Sequence, residues 1–81
     1  MLDVEVYITL KKTVADPQGL TIKHALDSLG YLEVENVRIG KLISLKLKLD
    51  NKEEAKGRLD EMCKKLLANP IIEEYHFSIK G

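Results

Sequence analysis

The chain is short of the residues that let small proteins staple themselves together or do chemistry. Cys63 is its single cysteine, so no internal disulfide is possible. With Cys63, the histidines His24 and His76 complete the set of strong transition-metal or nucleophile candidates. None shares a ligand spacing such as Cys-x-x-Cys or His-x-x-x-His. Charge of one sign is also missing: 13 basic residues cancel 13 acidic ones, which argues against a general nucleic-acid or membrane binder. The adjacent carboxylates Glu53-Glu54, Asp60-Glu61 and Glu73-Glu74 point to different faces of any helix or strand, so they form no acid/base pair. No long apolar run occurs at the start. Met1 to Leu10 alternates apolar and polar residues, which reads as neither a signal peptide nor a membrane span, and a reduced cytoplasmic setting is the expectation. Linkers, repeats and low-complexity stretches are absent, so residues 1–81 are expected to form one domain.

What is present is a folding composition, 44% apolar and 32% charged, on a chain too short to bury much of its surface. Without disulfides or a metal, a partner chain is the remaining route to stability. Five elements are expected, in the order strand, helix, strand, helix, strand. Leu2, Val4, Val6, Ile8 and Leu10 alternate with polar residues, the period of a sheet with one buried face. Asp16 suits an N-cap and Pro17 the first helical position. Ile22, Ala25, Leu26 and Leu29 make the first helix's apolar stripe, and Gly30 stops it. A second helix runs from about Asn51 to Ala68, with Asp50 and Glu53 at capping-box spacing. Its stripe includes Cys63, which there acts as a small hydrophobe. In the last strand, Ile71 to Ile79, the residues Tyr75, Phe77 and Ile79 share a face, with His76 pointing outward.

The middle strand is too long. Val37 to Leu49 is thirteen residues, where about five or six are usual. A two-residue turn at Gly40-Lys41 would put Val37 and Ile39 on the face of Lys46 and Lys48. A three-residue turn pairs Ile39 with Ile43 and Val37 with Leu45, but it places Leu42 where glycine is wanted. A straight strand needs no correction, because Val37, Ile39, Ile43, Leu45, Leu47 and Leu49 are all odd-numbered. Only Lys41 interrupts them, and an inward lysine must reach solvent, a carboxylate or another chain. The expected fold is therefore α+β, β-α-β-α-β, with a long middle strand bent at Gly40. Straightening the hairpin of the ferredoxin-like plan leaves each half to be completed by a second chain, as an intertwined dimer. On the polar face, Arg38, Lys46 and Lys48 form a basic stripe that Asp3 and Glu5 can neutralise across the strands.

These segments, read in order, resemble the PurS family. The pieces that match are Val6-Tyr-Ile-Thr-Leu-Lys11, Asp16-Pro-Gln-Gly19, His24-Ala-Leu26, Ser28-Leu-Gly-Tyr31 and Val37-Arg-Ile-Gly-Lys41, then Cys63-Lys-Lys-Leu-Leu-Ala-Asn-Pro70 and Ile72-Glu-Glu-Tyr75. Ala15, where the family more often has leucine, is a mild departure. The resemblance implies a subunit of phosphoribosylformylglycinamidine synthase, a complex that converts formylglycinamide ribonucleotide to formylglycinamidine ribonucleotide in purine biosynthesis. The complex uses ATP, magnesium and glutamine, none of them bound by this chain. A glutaminase subunit, PurQ, frees ammonia, and a synthetase subunit, PurL, activates the amide oxygen by phosphorylation before ammonia attacks. The small subunit is implied to form a homodimer or higher homo-oligomer, to bridge the other two, and to help ammonia across, with no catalytic residue of its own. Asp16, Gln18, Gly19, Arg38, Gly40 and Lys41 are the implied partner contacts. Two other readings are a free-standing regulatory domain, like the ACT domains, taking a small ligand between ferredoxin-like units, and a small nucleic-acid binder.

Overall fold

The alternating start of the chain folds as β1, Leu2–Leu10, in the computed structural model, which describes residues 1–81. Leu2, Val4, Val6 and Ile8 turn inward and are buried, with Asp3 and Thr9 exposed. Apolar residues on every second position make β1 the strand that others pair with. β2, Gly40–Leu47, and β3, Glu73–Lys80, flank it antiparallel in the order β2-β1-β3. The register sets Val6 opposite Ile43 and Phe77, and Val4 opposite Leu45 and Ile79. Even residues of β1 and odd residues of β2 and β3 therefore share one face, as the alternation requires.

α2, Lys52–Met62, covers that face and ends in a π-helical turn, Cys63–Leu67. Leu59 and Cys63 are fully buried with Val4, Val6 and Ile8 of β1, and Ala55 is fully buried as well. The N-cap of α2 is Asn51, whose side-chain oxygen accepts the amides of Glu53 at 2.8 Å and Glu54 at 3.3 Å. The capping-box spacing pointed to Asp50, but Asn51 offers an equivalent oxygen one residue nearer the helix. Asp50 instead lies 3.3 Å from the terminal amine of Met1. β3 starts at Glu73 rather than Ile71, because Asn69 organises a turn there. Its side chain accepts the Ile71 amide at 3.1 Å, and its own amide donates to Glu73 Oε1 at 2.7 Å.

α1, Pro17–Ser28, has the expected Asp16 cap, and Gly30 follows its end with φ of 96°, a left-handed geometry that glycine adopts without strain. Yet α1 contributes no residue to the hydrophobic core, and its one buried residue is Gly19. Ile22, Ala25 and Leu29 of its stripe lie exposed, and so does Leu20. The molecule measures 48 × 26 × 14 Å with a radius of gyration of 16.1 Å, where a compact chain of this length would give about 12 Å. No helix is long and apolar enough to cross a membrane.

The middle segment forms no hairpin. Neither turn nor bend interrupts residues 34–47, but only Gly40–Leu47 is paired. Glycine is needed at Gly40 because a Cβ would lie 2.7 Å from the Ile8 carbonyl oxygen and 2.8 Å from Thr9 Cγ2. Residues 34–38 make no backbone–backbone hydrogen bond. Residues 34–39, where the long strand was expected to begin, belong to no regular element.

Candidate partner interface

The six implied contact residues converge where the β1–α1 loop meets the start of β2. Asp16 is buried, and its carboxylate joins the two segments. Oδ1 accepts the Gly19 amide at 2.9 Å, capping α1, while Oδ2 accepts the Ile39 amide at 2.7 Å. The Ile39 bond first, then the Gly19 bond, hold the Asp16 carboxyl below its ordinary range, and the Arg38 guanidinium adds to the effect. Gly19 is where the helix touches the strand segment. A Cβ on it would sit 2.2 Å from the Val37 carbonyl oxygen, closer than any real contact. Arg38 leaves the sheet's polar face and donates to the carbonyls of Lys11 at 3.0 Å and Val14 at 2.8 Å.

Lys41, opposite Ile8 on the core face, reaches the carboxylate of Glu73 at 3.6 Å. The inward lysine thus finds one of the three partners open to it. Gln18 is exposed. Between these groups lies an open hollow of about 220 Å³ lined by Asp16, Gln18, Ile39, Gly40, Lys41 and Glu73. Asp16, Gly19, Arg38, Gly40 and Lys41 are committed to contacts within the chain, which leaves Gln18 as the exposed polar side chain of the cluster. Sequence reasoning missed Glu73; its only signal was the need of Lys41 for a carboxylate.

The other candidates stay apart from this cluster. Cys63 is buried, and that burial, with Asp60 second, pushes its thiol up. Tyr75 donates to Asp60 at 3.0 Å. On the outer face of the sheet the rings of Tyr7 and His76 stack with centroids 4.8 Å apart. His24 lies exposed on α1. Lys46 stands 4.0 Å from Asp3 across the strands, and with Arg38 turned away the expected basic stripe is broken. No group of three or more His, Cys, Asp or Glu side chains is placed to hold a metal ion.

An elongated chain with an unpacked helix and a half-paired strand has known counterparts. The family model of PurS, phosphoribosylformylglycinamidine (FGAM) synthase, matches residues 3–81. The synthase subunit PurS of Bacillus subtilis is 44% identical over 80 residues, covering 99% of this chain and 94% of its own. That of Methanocaldococcus jannaschii is 42% identical, covering 99% and 96%. Among solved structures, Bacillus subtilis PurS superposes with a TM-score of 0.90 at 43% identity over the whole of both chains. A chain of the PurLQS structure from Thermotoga maritima gives 0.87 at 33% identity over 99% of each. Matched from end to end in both sequence and backbone, the chain belongs to the PurS family of FGAM synthase subunits.

Proposed function

We propose that this chain is the non-catalytic small subunit of an FGAM synthase, a dimer that bridges the synthetase subunit PurL and the glutaminase subunit PurQ and assists ammonia transfer between them. One observation carries the reading. A chain of the PurLQS structure from Thermotoga maritima matches this one over 99% of both lengths, so the shape that joins that complex is the shape found here. The chemistry then divides: ATP, magnesium and glutamine serve the other two subunits in the cytoplasm, and this single domain, residues 1–81, supplies surface.

The contact face in this reading is the cluster of Asp16, Gln18, Gly19, Arg38, Gly40 and Lys41. Asp16, Gly19, Arg38 and Gly40 fix its shape through their bonds and close approaches. Gln18 presents a free amide to a partner. Glutamine-dependent FGAM synthesis, reconstituted from the synthetase and glutaminase with and without this chain, tests the role. A rate that depends on the chain is expected, and an identical rate would sink the proposal. Gln18→Arg should weaken co-purification of the three proteins while leaving the fold intact by circular dichroism.

A further inference from the structure

Two cations beside the β1–α1 loop find no carboxylate in their own chain. Arg38 and Lys12 line an open hollow of about 550 Å³, together with Thr9, Leu10, Asn36 and Glu74. The sheet register sets Thr9 opposite Glu74, and Lys12 lies exposed in the turn after β1. Neither Arg38 nor Lys12 takes part in any of the chain's ion pairs.

Arg38 is fixed without being neutralised. Its Nη2 donates to the carbonyls of Lys11 at 3.0 Å and Val14 at 2.8 Å. Carbonyls satisfy donors but leave the positive charge in place. A guanidinium has five N–H donors, so Nη1 and Nε remain open to an acceptor. A side chain already held in one geometry also loses little freedom when it binds.

We propose that this hollow receives a carboxylate side chain, aspartate or glutamate, from the surface of a partner subunit, with Arg38 and Lys12 as its anchors. The inference rests on reading the chain as a bridging subunit and adds the chemistry of one contact. Charge selects the ligand. The hollow's two cations face one carboxylate, Glu74, so its lining carries a surplus of a single positive charge. Asp16, which feels the Arg38 charge, lies outside the lining and has both oxygens on the amides of Gly19 and Ile39. One carboxylate balances that surplus, whereas a phosphate monoester, at about −1.5 to −2, would overshoot it and meet Glu74. Shape selects the source. Small-molecule sites are enclosed and mostly apolar, but this hollow is open and Leu10 is its only apolar residue. A side chain carried on a protein surface needs no enclosure, because the surrounding interface holds it there.

Zero-length coupling tests the contact, because a carbodiimide joins an amine only to a carboxylate that touches it. Treatment of the assembled synthetase, glutaminase and this chain should yield a peptide in which Lys12 is bonded to an aspartate or glutamate of one partner. Lys12→Glu should weaken binding to that partner at least about tenfold by titration calorimetry, and should flatten its salt dependence. Lys48→Glu makes the same charge change beyond the Leu2–Leu47 pair, at the far end of the sheet, and should leave the affinity unchanged. Equal losses from the two variants would mean general charge steering and would overturn the proposal. So would a complex that forms normally with Lys12 uncoupled and Lys12→Glu bound as tightly as wild type; the bridging role would then stand alone. Saturable amide shifts at Asn36 and Arg38 on adding inorganic phosphate to the chain by itself would mark a phosphate site and reject the carboxylate. Three proteins that do not associate at all would remove the bridging role and this contact together.

Discussion

Asp16 Oδ2 accepts the amide of Ile39, twenty-three residues away, at 2.7 Å, and Oδ1 accepts Gly19 at 2.9 Å. One carboxylate therefore caps α1 and fixes where the long strand leaves the loop. Both bonds favour the charged form, so the folded pKa lies below the unfolded one. A depressed pKa stabilises above the unfolded value, and that stability is lost as pH falls through the folded value. Thermal melts should therefore show the wild type losing part of its stability as pH drops below about 4, the ordinary Asp range. Asp16→Asn, which has one acceptor oxygen for two amides, should melt lower at neutral pH and lose less on acidification. Parallel acid limbs in the two proteins would assign the pH dependence to other carboxylates.

Gly19 and Gly57 both sit inside helices, where replacing glycine by alanine ordinarily gains about 0.5–1 kcal/mol. Their surroundings differ. A Cβ on Gly57 meets nothing within 4 Å, whereas one on Gly19 meets the Val37 carbonyl oxygen at 2.2 Å. Gly57→Ala should raise the urea midpoint. Gly19→Ala should lower it, by an amount typical of overpacking, about 1–3 kcal/mol, and should weaken the α1–strand junction.

The split between what sequence revealed and what it hid follows from reach. Alternation in β1 and β3 was legible because pleat and burial act on neighbouring residues. The inwardness of Lys41 followed from the same parity. Capping-box spacing points to Asp50 and passes over Asn51, because it does not distinguish two acceptors one residue apart. Parity puts Arg38 on the sheet's polar face, and nothing local signals that the carbonyls of Lys11 and Val14 lie within its reach. The glycine at position 19 was legible as a cost without a local reason; the reason, Val37, is tertiary. The middle strand was overlong as a ladder because only Gly40–Leu47 of it find a partner within the chain.

Leu59 is fully buried between α2 and the sheet, whereas Leu29 at the end of α1 is 73% exposed. Leu59→Ala should cost about 2–5 kcal/mol, from lost transfer energy and the cavity left behind, visible as a lower urea midpoint with an unchanged slope. Leu29→Ala should leave the isolated fold almost untouched. Equal losses of fold stability in both variants would contradict the view of α1 as an unpacked helix.

Lys41 and Glu73 give the last prediction. Their ion pair is exposed and spans 3.6 Å, so within one chain it contributes no more than about 1 kcal/mol. Lys41→Glu sets two carboxylates side by side in its place and should lower the urea midpoint slightly. Adding Glu73→Lys restores opposite charges and should return most of the loss. Recovery by the charge swap separates an electrostatic role from simple damage to the strand, because a distorted β2 would not be repaired by a second substitution on β3. A double variant no more stable than Lys41→Glu would assign the loss to β2 itself.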